Sequence, residues 1–184
     1  MGVLQKNKAF FIFLIKFGVT YLVLSAIYWL YLSRYDASAF EPDGITRIVA
    51  EQSRSFINLV GQEAGLRQRR LEASFRLFVN SKSVVRVVEG CNAVSVMILF
   101  TAFIVAFSTT LKKTSLYILA GVIIIHLLNI VRIGLLGIAV YYYPEYAEFL
   151  HDIFFPLFIY GVVFVLWVVW VIKFSDDAKK IPAK

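Results

Sequence analysis

Three residues of this 184-residue chain carry the functional groups of acyl-transfer chemistry: Cys91, its only thiol, Arg132 and His151. A thiol can supply the nucleophile and an imidazole the general acid or base. A guanidinium offers a cation for an oxyanion without itself titrating. Each residue also has a bland reading. A lone cysteine is most often a small buried hydrophobe. An interfacial His151-Asp152 pair suits an ordinary helix start, where the dipole favours the acid. An arginine near a bilayer face can snorkel to the headgroups. What separates the chemical from the bland reading is placement, and placement comes from the elements that hold the three residues.

Composition fixes the class of those elements. The chain is 60% hydrophobic and 17% charged, with a mean hydropathy of +0.76. A soluble domain carries about 45–50% apolar and about 25% charged residues. A chain of this size still exposes much of its surface, so one small core cannot hide the excess. An ordinary soluble enzyme, a disordered chain and a fibrous repeat are excluded, and an α-helical integral membrane protein is predicted. The net charge of +7 then reports orientation rather than nucleic-acid binding. No nucleic-acid-reading motif and no single basic stripe is present. One cysteine excludes an intrachain disulfide, a CxxC pair and a multi-cysteine zinc site. Neither histidine has a second strong ligand at zinc spacing, so neither a metal nor another cofactor is expected.

Four apolar runs, about 9–33, 90–110, 116–141 and 153–172, approach the roughly 20 residues that a helix needs to cross a bilayer. They predict one membrane domain over 1–184 with about four transmembrane helices. In the first run Lys16 snorkels near the start, and Tyr28, Trp29, Tyr31 and Tyr35 form an aromatic belt at the far end. That run is too long for a signal-peptide core and lacks an A-x-A site, so it reads as an uncleaved anchor. Short loops set the orientation. The loop between the second and third runs holds Lys112 and Lys113 and no acid. Residues 142–152 hold Glu145, Glu148 and Asp152 and no Lys or Arg, while Lys6, Lys8, Lys179, Lys180 and Lys184 flank the ends. Both termini are therefore expected in the cytoplasm. Segment 34–89 falls outside although it is Arg-rich, because long segments translocate largely regardless of charge. Within it, Asp43 is expected to cap a helix ending near Gly61, with Ile45, Ile48, Val49, Phe56, Leu59 and Val60 as its apolar face. Residues 71–79 and 82–88 are expected to form a β-hairpin through Asn80-Ser81.

This topology, drawn from lysines and acids alone, brings Cys91, Arg132 and His151 to one membrane face on three different helices. Arg132 lies sixteen residues beyond Leu116, a rise of about 24 Å, toward the outer side. Asn129 and His126 precede it at three-residue steps and share its helix side. His126, deeper, is expected to be a hydrogen-bonded structural group. Polar residues at such depth cost about 2.5–3.5 kcal/mol each and usually mark function. Cys91 is expected in the opening turn of the second helix, where unpaired N–H groups and the dipole favour thiolate and Glu89 opposes it.

Three motifs then stand in order: Val87-Val-Glu-Gly-Cys91-Asn-Ala, Asn129-Ile-Val-Arg132-Ile and His151-Asp-Ile-Phe-Phe-Pro156. Over about residues 84–165 they resemble the exosortase/archaeosortase family of membrane cysteine transpeptidases, and the brevity of the chain resembles its short exosortase-F-like branch. Asn92-Ala93 stand where many members carry Ser-Gly. The resemblance implies Cys91 as nucleophile, Arg132 as oxyanion stabiliser and His151 as proton donor, with Asn129, Glu89 and Asn92 in supporting positions. It also implies substrates that are secreted proteins with a C-terminal motif, membrane helix and basic tail. They would be met at the outer face of a bacterial inner (cytoplasmic) membrane. Two other classes compete. A non-catalytic four-helix scaffold would pair Arg132 with Glu89 and pack Cys91. A small transporter would line a path with His126, Asn129 and Arg132, but no repeat and no Gly/Pro-broken helix pair is present.

Overall fold

The computed structural model describes residues 7–35 and 40–174; Lys6, Lys179, Lys180 and Lys184 lie outside the described residues. The apolar run at the start forms α1, Lys8–Leu32, which rises about 38 Å and so exceeds the roughly 30 Å hydrocarbon core. Among the described residues, three helical stretches are long and apolar enough to cross a membrane: Phe10–Leu32, Leu111–Tyr142 and Pro144–Lys173.

The second expected span is shorter than its apolar run. Helix α3 covers only Val94–Ala106, about 20 Å. Glu89–Cys91 forms a 3-10 turn and Ala93 takes a left-handed φ of 62°, so the α-helix cannot begin until Val94. It nonetheless runs back along α1. Asn92 at its head bonds Tyr28, and the Phe107 ring at its foot lies 4.7 Å from that of Phe13. Helix α4, Leu111–Tyr142, starts about a turn before the expected 116. Helix α5, Phe155–Lys173, follows a 3-10 turn (Pro144–Tyr146), a helical turn (Ala147–Phe149) and a π-helical segment (Leu150–Phe154). Phe100, Ile104, Ile125, Val163 and Trp170 form the core that joins α3, α4 and α5.

Between α1 and α3 lies a small α/β layer. Helix α2, Gly44–Leu59, is capped as expected, with Asp43 Oδ1 accepting from Thr46 N–H at 3.0 Å. Its buried face differs from expectation. Thr46, Val49, Ala50, Ser53 and Ile57 are buried, whereas Ile48 and Val60 are exposed and Leu59 is 84% exposed. Small polar residues can take the close-packed face because their hydroxyls are satisfied there, Ser53 on Val49 C=O and Thr46 by Asn92.

Three antiparallel strands follow in the order β1 (Ala64–Gln68), β2 (Phe75–Val79) and β3 (Lys82–Val87). Asn80 and Ser81, both at positive φ, close the expected hairpin with the backbone that a two-residue turn requires. Its first strand begins at Phe75 rather than 71, because Arg69 N–H bonds Ser74 C=O and Arg69 pairs with Glu72 in a turn. Strand β1 was not expected. The sheet buries Phe75, Leu77, Val79 and Val87 against Val49, Ala50 and Ile57 of α2 and Ile133 of α4. Part of the arginine excess is used within this layer. Arg69 and Arg86 share Glu72, and Arg47 and Arg67 lie over the Phe75 and Phe78 rings.

Candidate active site

Strand β3 delivers the chain to Val88 and the 3-10 turn that carries Cys91. The Cys91 N–H bonds Val88 C=O at 2.8 Å, and the first free N–H of α3, on Val94, is taken by Asn92 Oδ1 at 3.0 Å. Cys91 therefore does not occupy the first turn of a helix, and the expected help from unpaired amides and the dipole is absent. What flanks the partly buried thiol is the Arg86 carbonyl, 4.0 Å from Sγ.

Two side chains on adjacent turns of α4 fix this arrangement. Asn129 is fully buried; its Nδ2 donates to the Cys91 carbonyl at 2.8 Å, and its Oδ1 accepts from Arg132 Nη1 at 3.3 Å. One amide thus ties the main chain of the thiol residue to the guanidinium. Arg132 Nε is buried and has no hydrogen-bond partner among the described residues. His126, three residues before Asn129, turns instead to Gln52 of α2 at 2.8 Å.

The third group comes from the π-helical segment ahead of α5. His151 Nδ1 lies 2.6 Å from Asp152 Oδ1, and both side chains are about half exposed, at 52% and 60%. An ionised carboxylate can only accept, so this contact places the hydrogen on Nδ1 and leaves Nε2 free to exchange a proton. Cys91, Arg132 and His151 all line one cavity of about 560 Å³. Val84, Val85, Arg86 and Val88 form its strand wall, Leu136 and Val140 its α4 wall, and Ala147, Glu148 and Asp152 its far side.

Glu89 and Asn92 stand behind the thiol rather than in the cavity. Glu89 accepts from Tyr28 O–H at 2.8 Å, so it does not pair with Arg132 as the scaffold reading required. Asn92, buried, donates to Tyr28 Oη at 2.9 Å and to Thr46 Oγ1 at 3.2 Å. They brace the Cys91 turn against α1 and α2. Two roles escaped the sequence reading. Tyr28 reads as one more belt aromatic. Asp152 is adjacent to His151, and neighbouring positions on a regular helix do not face each other. A thiol, a guanidinium and an imidazole beside a carboxylate, lining one cavity, are the group types that acyl transfer uses.

Compared with known proteins, residues 9–171 match the family model described as Transmembrane exosortase (Exosortase_EpsH). No curated protein and no solved structure gives a significant match.

Proposed function

The chain belongs to the transmembrane exosortase family, and from that premise we propose that it is a membrane-embedded cysteine transpeptidase or peptidase whose machinery is Cys91, Arg132 and His151. The observation that carries the reading is the convergence of these three residues, from three separate elements, on one cavity. The Cys91 thiolate adds to the carbonyl carbon of the scissile peptide bond, and Arg132 meets the negative charge that develops on oxygen. When the C–N bond breaks, the departing amine takes a proton from the His151 imidazolium, leaving a thioester on Cys91. An acceptor amine or water then gives up a proton to His151 and adds to the thioester carbonyl, and collapse expels the thiolate. Asp152 and Asn129 position the imidazole and the thiol turn.

The substrates are secreted proteins whose C-terminal membrane helix shares the bilayer with the enzyme. Four crossings, with α3 completed by its flanking residues, leave both termini in the cytoplasm and the cavity on the outer face of a bacterial inner membrane. Lys112 and Lys113 opposite Glu145 and Glu148 support this orientation. The test is a comparison of cells carrying the wild-type chain or Cys91→Ala, with protein C-termini quantified by mass spectrometry. A set of secreted proteins is expected to lose its C-terminal helices only with the wild type. Identical C-termini in both would overturn the reading and favour a non-catalytic scaffold.

A further inference from the structure

The cavity at Cys91 touches Val84, Val85 and Arg86 of β3, whose outer rim is one edge of the sheet. That rim is unoccupied by any strand. β3 is the last strand of the sheet and pairs only with β2 among the described residues.

The ladder fixes which main-chain groups face outward. Val79 and Lys82 flank the two-residue turn and form its closing pair, and Phe78 is opposite Ser83. Hydrogen-bonded and non-bonded pairs alternate in an antiparallel ladder. After the bulge that leaves Val84 without its own partner, Leu77 is opposite Val85 and Arg76 opposite Arg86. This phase turns the N–H and C=O of Arg86 away from β2 and toward the cavity. The Cys91 Sγ contact with Arg86 O at 4.0 Å agrees with it independently. The Val88 carbonyl, next in the same phase, is likewise met from outside by Cys91 N–H.

Resting on the cysteine-peptidase reading above, we propose that the rim of β3 at Arg86 is the substrate-binding strand of this site. The extended stretch of polypeptide substrate next to the scissile bond adds there as a fourth strand, main chain to main chain. The outward N–H and C=O of Arg86 are a paired donor and acceptor that suit a peptide main chain, and an acyl chain has nothing to offer them. The geometry also orders the steps. A peptide residue that exchanges both bonds with Arg86 is held beside the carbonyl that Sγ touches, so the next part of the peptide reaches the thiol. The bulge at Val84 ends the usable rim on the other side, which keeps the added strand short. Recognition through the main chain leaves side-chain preference to the rest of the lining, which includes Glu148 and Asp152.

The probe is an acetylated tetrapeptide chloromethyl ketone, which alkylates Cys91 with loss of chloride, and its singly N-methylated forms. Each is applied to the full chain in lipid nanodiscs, with labelling followed by intact mass. Because Arg86 alone offers both outward groups, one amide of the probe donates to β3. Methylation of that amide should slow labelling about fivefold, the loss of one exchanged amide bond, and the other positions should label at the parent rate. Arg86→Pro removes the outward N–H without touching the β2 ladder, and edge strands accept proline there. It should slow labelling by the unmethylated peptide about fivefold, the loss of the bond from the Arg86 N–H to a peptide carbonyl, while labelling by iodoacetamide, which needs no strand, verifies that the thiol remains competent. Equal rates for all methylated forms would overturn strand addition. If Cys91→Ala still abolishes C-terminal processing in cells, the cysteine-peptidase reading survives that result; unchanged processing would remove both.

Discussion

Substitution of Asn129 by Asp separates two jobs that one amide performs. The wild-type Nδ2 donates 2.8 Å to the Cys91 carbonyl, and Oδ1 accepts from Arg132 at 3.3 Å, in a site with no solvent exposure. Asp keeps the acceptor for Arg132 and makes that bond charge-assisted, but it sets a carboxylate oxygen against the carbonyl oxygen of Cys91. The lost hydrogen bond and the unpaired buried acceptor together cost about 2–4 kcal/mol, of which a stronger Arg132 bond returns about 1. If the Cys91 turn relieves the repulsion by moving about 1 Å, turnover falls about 10²-fold. Asn129→Leu loses both contacts and should fall at least as far. Two readouts follow the change: C-terminal processing in cells, and the rate of iodoacetamide labelling. The latter reports on Cys91 alone because the chain has no other thiol. Wild-type processing by Asn129→Asp would refute the reasoning, because it would mean that Asn129 matters only as a partner of Arg132.

Two further expectations follow from other parts of the structure. Asp152→Asn should slow processing about tenfold without lowering thermal stability, since it orients His151 from a half-exposed position rather than from a buried triad; processing at the wild-type rate would remove Asp152 from the mechanism. Gly134→Ala would drive a Cβ into the Phe56 ring at Cδ1 and should cost about 1–3 kcal/mol in thermal unfolding, with Phe56→Leu in the same chain restoring part of the loss.

Hydropathy and charge were enough to place α1 within a residue of its bounds, and Asp43 announced the start of α2. Those signals are local: a continuous apolar run, and a carboxylate before a helical stretch. The breaks inside apolar runs are not. Nothing in Val88-Glu-Gly-Cys-Asn-Ala marks Ala93 for a left-handed backbone, so the run 90–110 reads as one helix although α3 has only 13 residues. Strand β1, Ala64-Gly-Leu-Arg-Gln, has weak β-propensity and forms because β2 supplies its partner, a tertiary cause. The exposed Ile48, Leu59 and Val60 misled for a similar reason: the buried face of α2 is chosen by the close fit of Thr46, Ser53 and Ala50 to their neighbours, not by size. For the candidate site, residue type and topology brought out Cys91, Arg132, Asn129 and His151. The orientation of Glu89 and Asn92 toward Tyr28 depended on which way a three-residue turn faces, and no spacing rule encodes that.

The cavity is assembled from parts that are made far apart in time. Cys91 emerges from the ribosome first, the Asn129 that anchors it nearly forty residues later, and His151 just ahead of α5. Until α5 is inserted the cavity lacks the imidazole, and until α4 is inserted the thiol turn lacks both its tether and the neighbouring guanidinium. The cavity therefore exists only once both helices are in place.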